Sequence, residues 1–135
     1  MSSYLDLEIY TEAFNLAIKV HKLSLQLPKF ELYEQGSQIK RSSKSIKDTI
    51  VEGYGRKKYK AEFIKFLIYA QGSNDECLNQ IRTIIELYPE SFGWKELETK
   101  YNELGMKINK FIQYVEQNWR TNQQQVTSNK QQNIR

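Results

Sequence analysis

Glu62-Phe-Ile-Lys-Phe-Leu-Ile-Tyr-Ala-Gln-Gly-Ser-Asn-Asp-Glu-Cys-Leu-Asn-Gln-Ile-Arg-Thr-Ile-Ile-Glu-Leu-Tyr88 is the stretch whose pattern decides the fold. Phe63, Leu67, Ala70, Asn74, Cys77, Ile81, Ile84 and Tyr88 recur at alternating steps of four and three, with Phe66 beside them. That is the repeat of one face of an α-helix, not the alternation of a strand. It predicts a helix from about Lys58 to Leu87, on the order of 40 Å long at ~1.5 Å per residue. Gly72 interrupts the run at about 1 kcal/mol relative to alanine, so a packing reason is expected for it. Pro89 and the Ser91-Phe92-Gly93 turn close the helix.

Working outward, the same repeat returns three more times. Toward the N-terminus, Ile39, Ser43, Ile46 and Ile50 mark a helix from about Tyr33 to Glu52, with Gly53 and Gly55 as its expected stop. Ser42, Thr49 and Gly53 lie along one flank, where small side chains let a neighbouring helix come close. Further upstream, Ile9, Ala13, Leu16, Val20, Leu23 and Leu27 form a stripe on a helix from about Leu7 to Leu27. Tyr10, Phe14, Ile18 and Leu25 make a second stripe beside it, so this helix is expected to meet more than one neighbour. Pro28 ends it, and Lys29 to Leu32 reads as a connector. Downstream, Leu97, Tyr101, Leu104, Ile108, Phe111, Val115 and Asn118 give the seam of a fourth helix, Trp94 to Trp119, with Gly105 a weak point within it.

Four amphipathic helices on short loops predict an all-α fold, an antiparallel up-down four-helix bundle over residues 1–119. From Arg120 to Arg135 the chain turns to Gln and Asn with two isolated apolar residues, and is read as a disordered tail. At 135 residues one domain with a real core is expected. No run approaches the ~18 apolar residues of a membrane span, and the start lacks the basic and apolar regions of a signal peptide. Cys77 is the only cysteine, which excludes an internal disulfide and fits a cytoplasmic protein.

The net charge of +4 matters less than its distribution. Lys40, Arg41, Lys44, Lys47, Arg56, Lys57, Lys58, Lys60 and Lys65 fall between Gly36 and Lys65, against Asp48, Glu52 and Glu62. Lys40, Lys44 and Lys47 follow helical spacing with Arg41 close by, so they share a face. Arg56, Lys57, Lys58 and Lys60 cluster at the opening of the next helix beside Tyr54 and Tyr59. Such asymmetry points to an anionic partner, or else to a solvated helix face. Lysine and arginine neutralise phosphates, and tyrosines stack on unpaired bases. The tyrosines are better read as closing the end of the core. The basic residues are read as phosphate contacts.

Groups that carry catalysis are scarce. His21 is the only histidine and falls beside the second stripe of the first helix, as a packed or interface histidine would. One histidine and one cysteine make a zinc site improbable, and no helix carries the Glu-x-x-His pair of di-iron bundles. Asp75 and Glu76 are consecutive and point in different directions. Cys77 lies on the apolar stripe and reads as a small core residue. Gly53-Tyr-Gly55 has neither the preceding strand nor the Gly-Lys-Ser/Thr of a phosphate loop. No cofactor, metal or catalytic residue is expected.

A series of short motifs carries a resemblance. They are Leu27-Pro28-Lys29-Phe30-Glu31, Gln38-Ile39-Lys40-Arg41-Ser42, Ser45-Ile46, Ile50-Val51-Glu52-Gly53-Tyr54-Gly55-Arg56, Glu62-Phe63, Phe66-Leu67 and Ala70-Gln71-Gly72-Ser73. In this order, over about residues 5 to 119, the chain resembles the four-helix-bundle proteins encoded by intervening sequences in bacterial large-subunit (23S) rRNA genes. That family is also labelled ribosomal-protein-like, and it includes the accessory variability protein of diversity-generating retroelements. The resemblance implies a homopentameric ring or barrel with a basic surface for nucleic acid and, in the retroelement members, for a reverse transcriptase. The basic positions that match are Lys40, Arg41 and Arg56. Glu31, Glu52, Glu62 and Ser73 match positions whose role is structural. The chain departs from the pattern at Asn74-Asp75, where an apolar residue commonly follows Gly-Ser.

These readings predict a non-enzymatic oligomer that binds nucleic acid, RNA before DNA, through Lys40, Arg41, Lys44, Lys47, Arg56, Lys57, Lys58 and Lys60. The alternative is an adaptor whose basic face docks an acidic protein such as a reverse transcriptase. A small enzyme built on Tyr, Asp and Glu groups is a distant third.

Overall fold

A computed structural model describes residues 3–120 of the chain. After a single 3-10 turn at Tyr4–Asp6 come α1 (Glu8–Ser24), a one-turn α2 (Lys29–Leu32), α3 (Gln35–Gly55), α4 (Lys60–Leu87) and α5 (Trp94–Asn118). The opening turn is fixed by a reciprocal cap: Ser3 Oγ accepts from the Leu5 amide at 3.1 Å, and Asp6 Oδ2 accepts from the Ser3 amide at 3.2 Å. The long helix read from Glu62 to Tyr88 is α4. The tail expected to be disordered lies, beyond Arg120, outside the described residues.

Three local expectations are corrected. The first helix stops at Ser24, not Leu27: the Gln26 and Leu27 amides reach back only three residues, to Leu23 and Ser24, tightening the chain ahead of Pro28. Lys29–Leu32, read as a connector, makes a helical turn of its own. Gly53 lies inside α3 and Gly55 is its last residue, neither in a left-handed turn, since only Gly93 among the described residues has positive φ. Gly53 serves close approach instead. A Cβ there would lie 2.9 Å from Phe66 Cβ and 3.4 Å from Phe63, so glycine lets α3 and α4 touch. The chain turns at residues 56–59, where the Tyr59 amide donates to the Arg56 carbonyl at 2.9 Å.

The four long helices close on one another, with α3 packed against α1 and α4, and α5 packed against α4 and α1. Their shared core holds Val20, Ile39, Ile46, Ile50, Phe63, Leu67, Ile81, Ile84, Trp94, Tyr101, Leu104 and Ile108, all fully buried. Each such side chain contributes roughly 1.5–3 kcal/mol by leaving water. Several polar groups in the seams are paired, although Asn74 Oδ1 and the Tyr101 hydroxyl are buried without a hydrogen-bond partner among the described residues. Asn74 donates to the Tyr101 carbonyl at 3.0 Å, and Gly105 makes room for that amide, since a Cβ would sit 2.9 Å from Asn74 Nδ2. Gly105 is thus a fitted position in the α4–α5 contact. Ser42 donates to Gln80 at 2.7 Å, and Ser45 and Ser73 share a 2.8 Å bond across the α3–α4 seam. Lys107 ties α5 to α1 by binding Glu12 and Glu8, and those hydrogen bonds hold its ammonium above the usual lysine range.

Gly72 does not have the packing reason expected of it. It is exposed, and nothing lies within 4 Å of where its Cβ would be.

Cys77 is fully buried between the seams, and burial pushes its thiol up to about 12. In the unfolded chain it titrates near the ordinary value of ~8.5. The folded state therefore holds the proton through a window in which the unfolded state has released it. Stability carried by this group is intact below about pH 8.5 and declines as pH rises toward 12. The native protein is expected to resist a thiol-specific dye at pH 8 and to react fully in denaturant. Rapid native labelling would show that the core opens readily.

Candidate nucleic-acid interface

The sequence-predicted basic residues fall in two places, separated by the turn at residues 56–59. On α3, Lys40, Lys44 and Lys47 keep their helical spacing, with Arg41 and Lys44 exposed and Lys40 and Lys47 half-buried. The core face of α3 is fully occupied by Ile39, Ile46 and Ile50, which turns these cations outward. Lys47 pairs with the neighbouring Asp48 at 2.8 Å. Among the described residues, no hydrogen bond, ion pair or ring contact engages the side-chain charge of Lys40, Arg41 or Lys44, although the Lys40 carbonyl accepts from Ser43 Oγ at 3.1 Å. Arg41 borders a shallow α3–α4 groove that also contains Glu76, without an ion pair between them.

The second group divides by role. Lys57 turns back on Tyr54, its ammonium 2.8 Å from the phenol oxygen and 4.0 Å from the ring centre. The Lys57 carbonyl also accepts from Trp119 Nε1 at 3.2 Å. Lys60 donates to the Glu116 carbonyl in the last turn of α5, where a cation complements the negative end of the helix. Both residues bolt the α3–α4 turn onto the end of α5, around Phe63. Tyr54 is buried and closes the core, whereas Tyr59 is half exposed, with Lys58 at 5.9 Å from its ring. Arg56 is exposed and lies 4.8 Å over the Phe66 ring.

That last contact exposes aromatic residues that reading by charge alone passed over. Phe66 meets Tyr69 edge-on at 5.4 Å, and Lys65 reaches toward both rings at 5.9 and 6.0 Å. Arg56, Lys65, Phe66 and Tyr69 thus form one cationic and aromatic cluster on the outer side of α4. The spacing of Lys65 and Tyr69, one helical turn apart, was the signal available in sequence. A further basic group, Lys19, Lys22 and Lys100, surrounds a groove of about 280 Å³ floored by Leu23 and Leu97 between α1 and α5, with Glu96 on its rim. Residues so distant along the chain give no local signal.

Some of the other sequence-marked positions have structural roles. Glu31 accepts from the Gln35 amide at the start of α3, and Ser73 pairs with Ser45. Glu62 lies 3.9 Å from Lys65, whereas Glu52 is exposed with no contact that explains it. His21 is half-buried on α1. Among the described residues, no group of three or more His, Cys, Asp and Glu side chains could hold a metal ion, and no helix is long and apolar enough to cross a membrane.

Closed packing of four long helices, with unpaired cations along one of them, defines a small basic helical-bundle protein. The family model for the 23S rRNA-intervening sequence protein matches residues 5–110, and the chain belongs to that family. No curated protein matches the chain.

Proposed function

We propose that the protein is a non-enzymatic RNA-binding oligomer that holds structured RNA on the outward face of α3, extended by Arg56 and Lys58. The observation that carries this reading is the set of Lys40, Arg41 and Lys44, clustered at helical spacing, whose side-chain charges have no hydrogen-bond or ion-pair partner among the described residues. Cations left unpaired beside one another repel, and phosphate relieves that repulsion while releasing counterions. Membership of the 23S rRNA-intervening sequence protein family is in keeping with RNA as the polyanion. Burial and the raised pKa of the one thiol argue against nucleophilic chemistry at Cys77.

In this reading, successive long helices run antiparallel on their short connections. The bundle assembles as a homopentameric ring in the cytoplasm. Phe14 and Ile18 on α1 and Leu25 just beyond its end, all exposed, supply apolar surface for subunit contact. A ring multiplies one modest patch into a continuous track and raises avidity without new contacts. Purified at low ionic strength, the protein is expected to carry RNA that ribonuclease removes and that about 1 M salt strips away. A preparation free of nucleic acid at low salt that also fails to shift a labelled RNA hairpin would overturn the proposal. Capture of an acidic protein that survives nuclease would favour the adaptor role instead.

A further inference from the structure

From the outer face of α4 we infer a stacking site for an unpaired nucleobase, with Tyr69 as its platform and Lys65 and Arg56 as its phosphate contacts. This inference rests on the nucleic-acid reading above. Tyr69 and its neighbour Ile68 are 47% and 50% exposed, an unusual investment of apolar surface beside two cations. Gly72 explains how the platform stays open. On a helix each Cα–Cβ bond tilts toward the N-terminus, so the side chain at 72 is the one that would lean over Ile68 and Tyr69. Glycine leaves that space vacant, and no packing contact demands it, since nothing lies within 4 Å of its Cβ position. A costly residue in mid-helix thus keeps clear the space that a longer side chain would need to reach the ring.

The surrounding groups favour a nucleotide over a plain apolar partner. Phe66 braces Tyr69 edge-on, and Arg56 and Lys65 lie against the Phe66 ring, within reach of a backbone that flanks the stacked base. Glu62 holds Lys65 only loosely, at 3.9 Å with both side chains substantially exposed, so phosphate can displace it. Asp75 and Glu76, one turn beyond Gly72, are exposed and repel phosphate. The strand is thereby confined to the Lys65 and Arg56 side. A duplex hides its base faces, so this site reads single-stranded or bulged segments.

The test compares a labelled single-stranded RNA dodecamer carrying 2-aminopurine with a blunt RNA duplex of equal length, using the full chain. Tyr69→Ala is expected to weaken single-strand binding roughly 10-fold, within the range for loss of one stacked base. It should also abolish 2-aminopurine quenching and leave duplex affinity unchanged. Tyr69→Phe should retain both. Gly72→Met should weaken single-strand binding while raising the thermal midpoint, because it covers the ring and improves the helix; Gly72→Ala should raise the midpoint with a smaller effect on binding. If Tyr69→Ala binds single strands as the native protein does, while Gln at Lys40, Arg41 and Lys44 weakens binding, the stacking site is wrong and the basic face stands. If native protein binds neither RNA, both readings fall. If Tyr69→Ala or Gly72→Met instead changes the particle mass by light scattering and lowers both affinities together, the face is a contact between copies and the inference is overturned.

Discussion

Replacing Lys40, Arg41, Lys44 and Arg56 with glutamine is expected to lower RNA affinity on the order of 100-fold at low salt while the bundle remains folded. Each exposed charge contact with phosphate contributes roughly 0.2–1 kcal/mol, and four lost together give about 1–4 kcal/mol, with every ~1.4 kcal/mol a factor of ten. If the proposed ring forms, the loss repeats in each subunit and the outcome falls toward the upper end. The fold should tolerate the change. The side-chain charges of Lys40, Arg41 and Lys44 make no hydrogen bond or ion pair among the described residues, and Arg56 gives up only its position over Phe66. By contrast, glutamine at Lys57 and Lys60 should lower stability, because those side chains join the α3–α4 turn to Tyr54 and to the end of α5. A binding titration of each variant, with a denaturation curve beside it, separates the two roles. Equal RNA affinity in the fourfold variant and the native chain would remove the α3 face from consideration.

Phe63→Ala is expected to destabilise the protein by about 3–5 kcal/mol, a large part of the ~5–15 kcal/mol that holds a domain of this size together. Phe63 is fully buried at the end of the bundle where three helices and the turn converge. Its ring meets Tyr54 at 6.1 Å, Phe111 at 6.0 Å and Trp119 at 5.2 Å, each edge-on. Such pairs add ~0.5–1.5 kcal/mol each beyond area burial, and alanine leaves a cavity that Gly53, pressed against Phe66, is poorly placed to fill. The consequence reaches the site, because the same packing positions Arg56 and Lys58 at the surface. Phe63→Leu, which keeps most of the volume, should cost much less. Urea unfolding measures both. A loss under 1 kcal/mol for Phe63→Ala would mean that this end of the bundle is looser than described.

The helices were legible in the sequence because burial imposes a repeat that side-chain chemistry cannot disguise. Of the buried positions on α4 from Phe63 to Ile84, all but Leu78 lay on the stripe read from the steps of four and three. What misled was glycine. Gly53 and Gly55 look like a helix stop, but glycine has two uses, positive φ and close approach, and local sequence does not tell them apart. Only the neighbour across the seam, Phe66, decides it. Gly72 misled in the opposite sense, with a packing reason expected and none found.

The basic face was half legible for a similar reason. Spacing along one helix groups Lys40, Lys44 and Lys47 without knowledge of the fold. It says nothing of which cations the fold itself uses. Lys57 and Lys60 read as surface charges, yet they point back to Tyr54 and to the Glu116 carbonyl, a residue 56 positions away. Lys19, Lys22 and Lys100 come together only because α1 packs on α5.

The dependence of RNA affinity on salt tests the central claim most directly. If polyanion is held by side chains of α3 and the following turn, log K falls linearly with log salt, losing about 0.7–0.9 in slope for each phosphate neutralised. A native slope steeper than about −3, and a shallower one when Lys40, Arg41 and Lys44 become glutamine, is the predicted result. Affinity that is flat across the salt series, or a slope that those substitutions leave unchanged, would contradict it.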